Sequence, residues 1–303
     1  MTVRRFDSRH RPLWIGGAGL VLLPIVLQAL GLTYDSATLV VILAMAATSL
    51  NLLVGYTGLV SFGHSAWFGV GGYAAALAHL HWFGGQVIVL PMLFSLAFTA
   101  ALATVVGSLI LRRRGVYFSL LTLALCALTF AIAFRWTALT GGEGGLGGIE
   151  RHSLGPLDLD GHFTYYAFVA LVAFAVLYAL LRFVRSPFGH VLVAIRENEQ
   201  RATFQGYDTN RYKLLAFVLS ATVTGLAGAL LVFLQRLAAA ESTTVAFSGE
   251  LLAMVVIGGM RSFLGPALGA SVRAAWRRCR SGRSARRSRS PRRPGRTKAT
   301  SCR

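Results

Sequence analysis

The sequence predicts an all-α polytopic membrane protein of about eight transmembrane helices, and three observations carry that reading. The 303 residues are 55% hydrophobic and only 14% charged, with a mean hydropathy of +0.60. A soluble domain carries about 25% charged residues, so the deficit is too large for a surface facing water. Apolar runs long enough to cross a bilayer, about 20 residues each, recur along the chain. Positive charges then alternate between the gaps separating those runs, as membrane insertion requires.

The spans fall at roughly 12–32, 37–57, 62–83, 86–111, 115–138, 163–184, 213–235 and 243–260. The first is longer than a signal-peptide core and lacks a small-residue cleavage site, so it is read as a retained helix. The third holds Gly63, Gly69, Gly71 and Gly72, which suit a broken or re-entrant helix. With the N-terminus inside, fourteen Lys/Arg fall in inner segments and three (Arg135, Arg151 and Arg236) outside. Counting 62–83 as one crossing keeps Arg112, Arg113 and Arg114 on the inner side.

The largest outer segment is 139–162, built around TGGEGGLGGIE. Gly142, Gly144 and Gly147 match GxGxxG, but no strand precedes them and no helix opens after them, so a nucleotide site is not indicated. These glycines suit a tight loop. No GxxxxGK[ST] motif occurs, which argues against ATP hydrolysis by this chain. The largest inner segment, 185–212, carries helix signals: Ser186 as N-cap, Pro187 at the first helical position and Gly206 as a stop. A helix over 187–203 would have Val191, Ile195 and Ala202 on an apolar side. Arg196, Glu197, Asn198, Glu199 and Arg201 would form a charged side. This is either a solvated connector or a docking helix for a cytoplasmic partner.

Inside the spans, His64 and Asn51 are the polar groups of interest. Each either lines a translocation route or satisfies a neighbouring helix. Gly225, Gly228 and Ala229, with Gly69 and Gly72, suit close helix packing. Arg135 and Trp136 are read as interfacial anchors. The three cysteines, Cys126, Cys279 and Cys302, form neither a disulfide framework nor a CxxC metal pair.

The formal charge of +19 is concentrated at one end. Residues 273–303 hold thirteen Lys/Arg and no acid, leaving seventeen Lys/Arg against eleven Asp/Glu, or +6, on the first 272 residues. That basic stretch has no large aliphatic residue and is expected to be disordered. The chain is therefore divided into a transmembrane domain, 1–271, and a basic tail, 272–303.

Four stretches carry a family likeness: LNLLVGYTGLVSFGHSAWFGVGGY (50–73), GVYFSLLTLAL with WTALTGGEGGLGGI (115–149), SPFGHVLVAIRENEQRATFQGYDTNRYKLLAFVLSATVTGLAGAL (186–230) and GGMRSFLGPALGA (258–270). From about residue 12 to 271 the chain resembles the M-type permease subunits of branched-chain amino-acid ABC importers. The resemblance implies a subunit of the bacterial inner membrane with a cytoplasmic N-terminus. Its partners would be a second permease, two cytoplasmic ATP-binding subunits and a periplasmic substrate-binding protein. It implies no catalytic residue, metal or cofactor in this chain, and no specific nucleic acid. An ATPase-coupling role would fall on Ser186, Gly189, Ala194, Ile195, Arg196, Glu197, Asn198, Glu199, Ala202, Gly206 and Lys213. The translocation path would take Asn51, Ser61, His64, Gly69 and Tyr73. Arg261 departs from the family's small residue in a GGxGS-type turn. The tail departs further, because the family continues with apolar sequence after GPALGA. The expectation is a frame shift near codon 272, which reading the other two frames of the DNA would test. Alternatives are an ion-gradient-driven secondary transporter, or a truncated permease that does not transport.

Overall fold

The computed structural model describes residues 33–82, 88–113, 115–151, 160–260 and 262–273. The expected span 12–32, Arg114, Arg261 and the tail beyond residue 273 lie outside them, as do residues 152–159 of the outer segment.

The described chain is helical, with a single isolated bridge between Leu146 and Ala238. In order come α1 (Tyr34–Asn51), a π-helical turn (Leu52–Thr57), α2 (His64–His81), α3 (Val89–Ile110) and α4 (Val116–Arg135). The short α5 (Thr137–Thr140) and a 3₁₀ turn (Gly142–Gly144) lead to α6 (His162–Val184). Then follow α7 (Pro187–Glu197), α8 (Glu199–Phe204), α9 (Thr209–Gln235), a second 3₁₀ turn (Ala240–Thr243) and α10 (Val245–Gly258). Residues 265–273 are again helical. Among the described residues five helices are long and apolar enough to cross a membrane: α1 with its π turn, α3, α4, α6 and α9. The protein is thus an all-α, multi-pass membrane protein.

α2 is not among those five, because its histidines and glycines dilute its hydropathy. It is nevertheless 18 residues long, about 27 Å, and buried along most of its length. It is continuous through Gly69, Gly71 and Gly72. The irregular backbone comes just before it, in the π turn and at 58–63, where Gly58 sits at φ 75°.

α2 and α9 form the centre. An added Cβ at Gly71 would strike the Gly225 backbone, and one at Gly228 would strike the Phe68 carbonyl. Lipid offers no hydrophobic drive for helix association, so association relies on backbones approaching closely enough to pack. Ser95 of α3 donates to the Gly71 carbonyl at 2.6 Å, and Gly225 packs against Thr99. Gly69 serves another contact: it leaves room for Thr243.

That contact changes the last span. The expected crossing at 243–260 is instead a short helix. α10 has 14 residues, about 21 Å, against a hydrocarbon core of about 30 Å. Its start lies level with the middle of α4. After α9 the backbone pairs Ala238 with Leu146 in the glycine loop, then descends to Thr243. The Thr243 carbonyl accepts from the Cys126 thiol at 3.2 Å, halfway along α4, and from Ser65 Oγ at 3.4 Å, near the start of α2. Residues 237–244 are therefore re-entrant. Past α10 the chain turns back, and Gly258 and Gly269 let 265–273 lie against it.

Replacing Gly228 by Leu should lower stability by about 1–3 kcal/mol or block folding, read by thermal unfolding in detergent. Gly144→Ala, where a Cβ meets nothing within 4 Å, should leave the melt unchanged. An unchanged melt for Gly228→Leu would contradict the α2–α9 contact.

Candidate functional site

Two groups of side chains stand out. One is the segment joining α6 to α9, and the other is a polar set inside the bundle.

Chain punctuation shapes the first. Ser186 has the extended backbone of an N-cap (φ −72°, ψ 163°), and Pro187 opens α7. The Ser186 hydroxyl does not cap α7; it donates to the Phe183 carbonyl at 2.6 Å. Gly189, Leu192 and Ile195, three residues apart, form the buried face, with Gly189 so close to Val184 that a Cβ has no room. Ile195 and Ala202 are buried as expected, while Val191 is half-buried and Leu192 takes its place. The expected single helix over 187–203 is two helices. Asn198 leaves the helix at φ −157°, ψ 101°, and its side chain accepts from the Arg201 amide at 2.9 Å, capping α8. Asparagine favours this exchange of helix interior for cap. Gly206 ends the segment at φ 87°.

The charged side is divided. Arg196 reaches back and donates to the Gly55 carbonyl in the π turn, and its stem rests on Gly58. A cation on a carbonyl of the π turn that ends the α1 helical run is favoured by the helix dipole. Glu199 pairs with Lys213 of α9 at 2.7 Å, with the Lys213 side chain only 8% exposed. Ala194, Glu197 and Asn198 point outward, exposed. Glu197 and Asn198 also edge a cavity of about 470 Å³, lined further by Thr57, Leu111, Phe118, Ile195, Glu199 and Lys213 among others. Arg113 lines the same cavity, so the Arg-rich turns gather at one end of the bundle.

The second group is closed. His64 is fully buried, with Nδ1 3.0 Å from Ser61 Oγ and Nε2 2.8 Å from Ser220 Oγ. Ser220 donates its hydroxyl to the Ser49 carbonyl at 2.5 Å. Its oxygen must then accept from Nε2–H, which leaves Nδ1 to accept from Ser61. Ser49 Oγ meets Thr224 Oγ1 at 2.6 Å. These groups pin α1, α2 and α9 together. Asn51 Nδ2 donates to the Ser262 carbonyl at 3.1 Å. Gly69 is filled by Thr243. Tyr73 stands apart: it lines an apolar cavity of about 560 Å³ between α2, α3 and α4 that Thr243 also touches.

Residue-by-residue reading missed three things. Gly55 and Ser220 receive Arg196 and His64, but nothing in their local sequence marks them. Arg151 is buried, not a loop charge: its Nε donates to the Phe233 carbonyl at 2.8 Å over the Tyr165 ring, capping α9. The polar run ESTT (241–244) was the available sign of the re-entrant turn.

Truncating His64 to Ala should cost about 2 kcal/mol, since Ser61 and Ser220 lose their partner and a void opens. Denaturation in detergent measures this. Unchanged stability with lost transport would instead place His64 in an open route.

Comparison with known proteins bears on this arrangement. The model of a family described as branched-chain amino acid transport system / permease component matches residues 32–277. The LivM permease protein of the high-affinity branched-chain amino acid transport system of Escherichia coli (strain K12) is 34% identical over 254 residues, covering 76% of this chain and 59% of that protein. LivM of Salmonella typhimurium is 32% identical over 252 residues, covering 75% of this chain and 59% of the relative. A probable branched-chain amino acid transport permease, LivH of Methanocaldococcus jannaschii, is 27% identical over 236 residues, covering 75% of this chain and 73% of its own length. The chain spans about three fifths of the length of the LivM relatives it matches. No solved structure matches.

Proposed function

The chain belongs to the family of branched-chain amino acid transport permease components, and on that premise we propose that it is the membrane-spanning permease subunit of an ATP-driven importer for branched-chain amino acids. The domain that does this is residues 1–271, with 272–303 as a basic appendage. It pairs with a second permease subunit, takes substrate from a periplasmic binding protein and is driven by two cytoplasmic ATP-binding subunits. The Arg-rich end is cytoplasmic in this reading, which puts the N-terminus on the cytoplasmic side of the bacterial inner membrane.

The observation that carries the proposal is the form of α7 and α8. They present Ala194, Glu197 and Asn198 outward while their inward groups are fixed: Arg196 to the π turn after α1, and Glu199 to α9. A partner pushing on the outer face would move two enclosed helices as a body. A solvated connector has no need for such fixings. Of the two acids in the segment, Glu199 is paired with Lys213, whereas Glu197 is exposed and forms no ion pair among the described residues.

Co-purification with the ATP-binding subunits tests this. Glu197→Lys should abolish their association while pairing with the second permease persists, and Glu143→Lys in the glycine loop should have no effect. Wild-type association by Glu197→Lys would overturn the docking assignment.

A further inference from the structure

Two carboxylates flank Thr243 in sequence, Glu241 in the re-entrant turn and Glu250 in α10; the Cys126 contact sets Thr243 level with the middle of the apolar helix α4, and the two acids are treated differently. Glu250 of α10 pairs with Arg273, whose guanidinium lies over the Phe247 ring. Glu241, in the 3₁₀ turn, is exposed, and among the described residues no cationic side chain pairs with it. Its backbone is held firmly. The Glu241 carbonyl accepts from the Thr244 amide at 3.2 Å and from Thr244 Oγ1 at 2.9 Å. Two residues on, Thr243 is clamped between α2 and α4. So an acid is placed by a rigid, non-helical turn at a depth where lipid contact is costly. Irregular backbone at that depth is tolerated only when buried in protein or lining a water-filled cavity. Ionisable side chains there face such a cavity and mark the route of substrates.

The surface around Glu241 indicates what covers it. Below it Val245, Ala246, Gly249 and Ala253 are exposed on one side of α10, and a Cβ at Gly249 would meet nothing within 4 Å. This small-residue face admits a close neighbouring helix, and the acid at its top keeps that neighbour from being lipid alone. We propose that Glu241 lines the translocation path where this chain meets the second permease, and that its carboxylate receives the ammonium group of the amino acid in transit. The inference rests on the importer reading above. An ammonium leaving water needs a replacement for its hydration, and a charge-assisted bond to a fixed carboxylate supplies one.

The test uses the assembled importer, with second permease, ATP-binding subunits and binding protein, reconstituted in vesicles. Glu241→Gln keeps shape and removes charge. Leucine uptake should fall about ten- to a hundredfold in kcat/KM, with assembly unchanged. Glu241→Asp should retain intermediate uptake. Wild-type uptake by Glu241→Gln overturns the proposal. Loss of pairing with the second permease also overturns it, because the carboxylate would then be a subunit ion pair. A separate arm uses Glu241→Cys with Cys279→Ser and Cys302→Ser, leaving buried Cys126. A cationic, membrane-impermeant methanethiosulfonate should label it from outside, more slowly when leucine and binding protein are present. Reaction only with a lipid-soluble maleimide overturns the proposal. If the wild-type complex shows no ATP-driven uptake, the importer reading fails by itself, and labelling still decides whether position 241 faces water.

Discussion

Everything in this structure hangs on the contact between α2 and α9. In a bilayer, apolar side chains gain little by leaving lipid for one another, so helices associate through close backbone packing and hydrogen bonds. Gly71, Gly72, Gly225 and Gly228 supply the first, and His64, Ser220, Ser49 and Thr224 supply the second. Any side chain at Gly71 or Gly228 would hold the two backbones apart and pull those hydroxyls out of range. The remaining helices are arranged around this pair: α1 and α3 complete the enclosure, while α4 and α6 keep broad apolar faces outward.

α9 carries that contact to both ends of the molecule. Its 27 residues run about 40 Å, longer than the hydrocarbon core. At the Arg-rich end Lys213 ties it to α8 through Glu199. At the other end Arg151 holds its final carbonyls and Arg236, at φ 56°, turns the chain toward Asp160. The α7–α8 segment, the central contact and the glycine loop are therefore joined through one helix. This is a geometry in which force applied at one face reaches the other without local unfolding.

The long spans were legible because hydropathy is a sum over about 20 residues and tolerates error at any one. Pro187 and Gly206 were legible because each acts through its own backbone. Asn198 was harder: its side chain can sit in a helix or cap one, and the choice depends on α8 finding a place beside α9. The re-entrant turn was hidden by averaging, since an apolar α10 looks like a full crossing until Thr243 is seen against Cys126 and Gly69. His64 and Arg196 were noticed as residues, but their partners lie 156 and 141 positions away. No local pattern announces such pairs. The family likeness pointed to the α7–α8 segment, and the structure adds that Arg196 and Glu199 of its charged side are engaged within the chain.

In the proposed role this chain supplies a path and a docking surface but no energy. Uptake of labelled leucine into vesicles holding the full assembly measures it directly. Uptake should require ATP on the side of the Arg-rich end and stop when this chain is omitted. Uptake that persists without the ATP-binding subunits, driven by an ion gradient, would contradict it.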